Sequence, residues 1–233
     1  MKIGILQCDH VPDELLAKHG DYNHFFMDLL EDEQLEFVTF AVVDGEFPSS
    51  TVDAEGWVIT GGAYSVSDAH EWIARLRAFV RDIFSEGQPF IGVCFGHQLV
   101  ADALGGRVER SRAGWTAGPV EYERHDAPGR HTALTWHEEE ITVLPAAAKV
   151  VGASDRCCFA ILRYGDNVLT YQGHPEIKPG FLLDLLGVYG HVLPDEARSN
   201  VMRSGAFPSS THDFAKEMKA LFLKNGTLRQ ARS

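Results

Sequence analysis

Cys94 stands in Ile91-Gly92-Val93-Cys94-Phe95-Gly96-His97-Gln98, after a short apolar run and ahead of a helical one. That setting suits a nucleophile held on a sharp strand-to-helix turn, with glycines two residues to either side removing side chains that would collide. The start of the following helix aims backbone N–H groups and a positive dipole end at the sulfur, which favours thiolate. Taken alone, Cys94 fits a small buried side chain equally well, so the chemistry needs a base. His174, Pro175 and Glu176 supply one, because residues 168–172 read as a strand and His174 falls just past its end. Glu176, two residues on, can hold the imidazole in the correct tautomer. A third segment, Val58-Ile59-Thr60-Gly61-Gly62, is a strand ending in two glycines whose N–H groups can form half of an oxyanion hole. The N–H of Phe95 is the other half. Together these residues describe acyl transfer through a thioester. Phosphate-binding glycine patterns are absent.

The elements that must position these groups alternate strand and helix. Residues 2–7, 36–43, 56–60 and 89–93 read as strands, and residues 22–30 and 98–104 as helices. The clearest helix follows Asp68, a candidate N-cap, and stops at Gly87. Its residues Trp72, Ile73, Leu76, Phe79, Val80, Ile83 and Phe84 share one stripe. Such alternation predicts a three-layer α/β fold, a mainly parallel sheet flanked by helices. Residues 105–171 change character and predict a smaller region of short, partly antiparallel strands. Pro179 opens another helix, and a last one covers about residues 212–223 with Phe214, Met218, Leu221 and Phe222 on one face. Residues 1–233 read as a single domain in which about 192–233 form a helical C-terminal extension packed on the core.

Charge and composition narrow the function further. The formal net charge of −12 repels phosphate backbones and argues against nucleic acid. No apolar run suggests a membrane span, and the N-terminal apolar stretch stops at Gln7-Cys8-Asp9, too short for a signal peptide. Cys8, Cys94, Cys157 and Cys158 form no disulfide framework, which predicts a reducing cytoplasm. No spacing matches a metal site.

Gly92-Val93-Cys94-Phe95-Gly96-His97-Gln98, Gly173-His174-Pro175-Glu176 and Thr60-Gly61-Gly62 resemble the nucleophile, His–Glu and oxyanion motifs of class I glutamine amidotransferases. Within that family the chain is similar to stand-alone proteins like the glutaminase domain of GMP synthetase, over roughly residues 1–190. The resemblance implies the flavodoxin-like class I glutaminase fold and no cofactor. It implies a Cys94 γ-glutamyl thioester, His174 as acid and base with Glu176 as its partner, oxyanion binding by Gly62 and Phe95, and substrate positioning by Gln98. Trp136-His137-Glu138-Glu139-Glu140 occupies the place of a Trp-His-Gly-Asp type segment that closes over the glutamine α-amino and α-carboxylate groups, which makes His137 a substrate-binding candidate. Glu138 replaces the usual small residue there, and Ala63-Tyr64 replaces a proline-containing turn. The implied activity is glutamine hydrolysis that delivers ammonia to a separate synthetase or acceptor subunit. The alternatives are a partner-independent γ-glutamyl peptide or amide hydrolase and a catalytically silent binding protein on the same fold.

Overall fold

The computed structural model describes residues 1–207 and 209–230; Pro208 and residues 231–233, at the end of the expected C-terminal extension, lie outside the described residues. The first half runs β1 (Lys2–Leu6), α1 (Asp13–His19), α2 (Tyr22–Leu29), β2 (Glu36–Phe40), β3 (Gly56–Ile59), α3 (Glu71–Ser85), β4 (Phe90–Val93) and α4 (Phe95–Ala103). A run of strands follows: β5 (Arg107–Arg110), β6 (Thr116–Arg124), β7 (Arg130–His137), β8 (Glu139–Val143), β9 (Lys149–Ser154), β10 (Cys157–Tyr164) and β11 (Val168–Tyr171). Helices α5 (Pro179–Tyr189), α6 (Asp195–Val201) and α7 (Thr211–Gln230) close the chain.

Nine strands make one sheet in the order β2-β1-β3-β4-β11-β10-β9-β6-β7. The first five are mutually parallel, and the rest continue antiparallel from the β11 edge. The expected antiparallel region is therefore mostly an extension of the main sheet; only β5 and β8 pair apart from it. Strands β3, β4 and β11 are buried at every position, as a sheet covered on both faces requires. Their side chains alternate between two cores. Val58, Ile91 and Leu169 pack with Phe26 of α2 and with Phe214, Met218, Leu221 and Phe222 of α7. Trp57, Ile59 and Phe90 pack with Ile73, Leu76, Val80 and Ile83 of α3 and with Leu99 and Val100 of α4. Each fully buried side chain of this size contributes about 1.5–3 kcal/mol, so both covers are tied to the strands that carry the site.

Helix α3 keeps the expected stripe but not the expected cap. Its N-cap is His70, with no side-chain cap bond, and the Asp68 carboxylate instead accepts from the Ser65 N–H in the preceding turn. Helix α4 starts at Phe95, three residues before the position expected from its apolar pattern, because the helix grows directly out of the Cys94 turn.

Candidate active site

Cys94 ends β4 and begins α4 with φ 50° and ψ −105°, the one non-glycine residue of positive φ among those described. Backbone of this kind costs on the order of 1–3 kcal/mol and persists only where its surroundings impose it. Here they do. The Cys94 N–H donates to the Tyr171 carbonyl at 2.8 Å, Gln98 N–H donates to the Cys94 carbonyl at 3.0 Å, and Gly96 N–H donates to Thr60 at 3.2 Å. A Cβ on Gly96 would lie 2.3 Å from the Ile59 carbonyl oxygen, so α4 can approach β3 this closely only with glycine there.

His174 sits at the neighbouring strand end. After β11 the chain crosses to β7, where His174 N–H donates to the Leu134 carbonyl at 2.7 Å. The imidazole Nδ1 meets Glu176 Oε1 at 2.7 Å, and the two side chains are 7% and 1% exposed. Burial works to drive the proton off His174. The Glu176 carboxylate and the Cys94 sulfur outweigh it and hold the imidazole pKa up at about 10. With Nδ1 committed to Glu176, Nε2 is the nitrogen left for the sulfur. Glu176 Oε2 is buried with no hydrogen-bond partner. Gly61 lies directly against the pair: a Cβ there would be 2.9 Å from His174 Cε1 and 3.4 Å from Cys94 Cβ.

The remaining sequence candidates divide. Gly62 lines the cavity beside Cys94, and Phe95 opens α4, where first-turn N–H groups have no helical partner. Their neighbours are engaged: Ala63 N–H donates to Asp9 and Gly96 N–H to Thr60. Gln98 is buried and donates to the Glu139 carbonyl at 2.9 Å and to Gln172 Oε1 at 3.2 Å. Gln172, which no motif in the sequence singled out, directs its own amide at Cys94 Sγ at 3.8 Å. His137 is buried outside the cavity and donates from Nδ1 to the Glu139 carbonyl at 3.0 Å. Burial, only partly offset by that carbonyl, lowers its pKa to about 4, so its ring is neutral at pH 7. Its neighbour Trp136 faces the cavity instead. Glu138 pairs with Arg110, and the Glu139 carboxylate accepts from Ser65 Oγ.

The cavity at Cys94 measures about 220 Å³, with Asp9, Tyr22, Tyr64, Trp136 and His174 among its walls. A larger one of about 560 Å³, between β6 and α6, has neither cysteine nor histidine in its lining, so the smaller is the candidate site. A cysteine, a histidine–glutamate pair and backbone N–H donors around one small cavity can form and hydrolyse an acyl-thioester.

Comparison with known proteins shows the family. The family described as glutamine amidotransferase class-I matches residues 30–181. This chain belongs to the class I glutamine amidotransferases. As a member of that family it is a cysteine-dependent amidohydrolase. It is 32% identical over 191 residues to gamma-glutamyl peptidase 4 of Arabidopsis thaliana, covering 75% of this chain and 76% of that one. It is also 32% identical over 171 residues to a glutamine-hydrolyzing GMP synthase subunit of Halobacterium salinarum, covering 70% and 87%. The fold is shared with a glutamine amido transferase structure from Methylobacillus flagellatus, at TM-score 0.75 and 21% identity over 97% of this chain and 94% of that one.

Proposed function

We propose that this amidotransferase-family chain hydrolyses γ-glutamyl amide bonds through a Cys94-His174-Glu176 triad, and that it acts on γ-glutamyl peptides or amides without a partner. The observation that carries the reading is Cys94, on its strained turn, sharing a small cavity with a buried His174–Glu176 pair. Cys94 attacks the γ-carbonyl, and the N–H groups of Gly62 and Phe95 receive the developing oxyanion. His174 gives its Nε2 proton to the departing nitrogen, leaving a γ-glutamyl thioester. The neutral imidazole then takes a proton from water, which attacks the thioester and releases glutamate and the Cys94 thiol. Glu176 keeps Nδ1 protonated throughout. Gln98 acts through Gln172 on the sulfur, and His137 backs the cavity wall through Trp136. All these steps use groups of the chain itself.

Similarity to gamma-glutamyl peptidase 4 supports peptides as substrates. A second reading, glutamine hydrolysis for a separate synthetase or acceptor subunit, draws on the similarity to the Halobacterium salinarum GMP synthase chain. Cys8, Cys94, Cys157 and Cys158 are all free thiols, which supports a reducing cytoplasm. No described helix is long and apolar enough to cross a membrane.

The test is glutamate release from glutamine and from a panel of γ-glutamyl peptides and amides, by the parent and by Cys94→Ala. Turnover of a peptide by the parent alone is expected, with a loss on the order of 10⁴-fold or more in the variant. Glutamine turnover that appears only when a synthetase is added would establish the second reading. Undiminished activity in Cys94→Ala would refute the mechanism.

A further inference from the structure

The cavity has an acidic end that the steps above do not use. Asp9, just after β1, forms part of its wall. Its Oδ2 accepts from Ala63 N–H and its Oδ1 from His10 N–H, each at 2.8 Å. A Cβ on Gly62 would lie 3.0 Å from Asp9 Cβ. The carboxylate is thus fixed to the same Gly61-Gly62-Ala63 segment that abuts Cys94 and His174, and its reach to a bound acyl group is set by one short piece of backbone. Burial pushes the Asp9 carboxyl above its ordinary range, although those two N–H groups hold it down.

The cations near this charge are imidazoles: His10, which acts on Asp9 through space, and His174 in the same cavity, which is committed to Glu176 and the Cys94 sulfur. Among the described residues no ion pair includes Asp9, and neither lysine nor arginine lines the cavity. The adjacent His10 commits its ring nitrogens to Asp21 at 2.6 Å and Asp44 at 2.9 Å. A partly desolvated carboxylate whose nearest imidazole is shared with two other acids gains from a ligand that brings its own positive charge. Tyr22, Tyr64 and Trp136 nearby also suit a small organic cation. Glu138 and Glu139, from the segment expected to close over the substrate's amino end, are held by Arg110 and Ser65.

We infer that Asp9 is the specificity-determining residue that binds the free α-ammonium group of the γ-glutamyl moiety, so that substrates lacking that amine are discriminated against. The inference rests on the γ-glutamyl reading of the site. It is tested with the 4-nitroanilides of γ-glutamate and of glutarate, which differ only in the α-amine. The parent is expected to prefer the γ-glutamyl compound by roughly 100-fold in kcat/KM. In Asp9→Asn that preference should shrink to a few-fold, with the loss in KM. Because the preference is a ratio within one preparation, partial misfolding lowers both rates and leaves it unchanged; Asp9→Ala serves as a second variant. A preference retained in both variants overturns the inference. If the parent cleaves neither anilide, the hydrolase reading fails, and calorimetric titration of parent and Asp9→Asn with glutamine and with glutaric monoamide decides the inference separately. Preference for glutamine in the parent alone supports it; equal discrimination in both proteins, or no glutamine binding by the parent, overturns it.

Discussion

Glu217 on α7 holds the C-terminal helix to the strands behind the site, and its removal should unfold the protein at markedly lower temperature. Its carboxylate accepts from Arg124 Nη1 and Nη2 at 3.0 and 2.9 Å, from Arg163 at 2.7 Å and from the Tyr171 hydroxyl at 3.0 Å. The Arg124 side chain is only 3% exposed, and its other carboxylate partner, Asp126, is 25% exposed. Glu217→Ala therefore leaves a buried guanidinium with one partly solvated partner. Removing one member of a buried pair costs about 3–5 kcal/mol. Glu217 is itself 23% exposed and Asp126 remains, so the figure falls to about 2–4 kcal/mol. For a chain of this size each kcal/mol moves Tm by about 2–4 °C, so Tm should fall by roughly 5–15 °C. Calorimetry and urea unfolding at pH 7 measure it. Arg124→Met/Glu217→Met should recover part of the loss, because replacing both partners removes the stranded charge. A Glu217→Ala protein within about 0.5 kcal/mol of the parent would refute the reasoning, as would a double variant whose loss equals the sum of the singles.

Gly61→Ala should lower kcat by about 10- to 100-fold while the fold persists, since its Cβ would meet His174 Cε1 at 2.9 Å and displace the ring; parental kcat in a folded variant would sink the positioning argument. Stability should also depend on His174. Its pKa is about 10 in the folded chain and about 6.5 unfolded, so its contribution is complete below about pH 6.5 and is lost as pH rises through about 10. Urea midpoints from pH 6 to 10.5 should decline more steeply in the parent than in His174→Gln, and parallel declines would count against it. Gln172→Leu should slow alkylation of Cys94 by iodoacetamide several-fold at pH 7, because the amide at 3.8 Å from Sγ is gone; an unchanged alkylation rate would show that the amide does not act on the sulfur.

The sequence by itself determined the local pieces. Glycines at 92 and 96 around Cys94 encode a turn whose crowding excludes other side chains, and the apolar stripe of α3 encodes a helix lying on a sheet. His174 and Glu176 were legible because they are two residues apart and past a strand end, so their pairing is local. Helix α1 was not legible: only Leu15 is buried in Asp13–His19, which leaves no apolar period to read. The joining of β10 to the edge of β11 was not legible either, because a strand's own pattern does not name its hydrogen-bonded neighbour. The cavity walls were decided only in three dimensions. Asp9 and Tyr22 come from just past β1 and from α2, and nothing in their own segments points to Cys94; Trp136, from β7, lies in a segment that resemblance alone had marked. His137 shows the same limit most sharply. Adjacent residues of a strand face opposite ways, so the pairing of β7 with β6 decided that Trp136 meets the cavity and His137 is buried behind it.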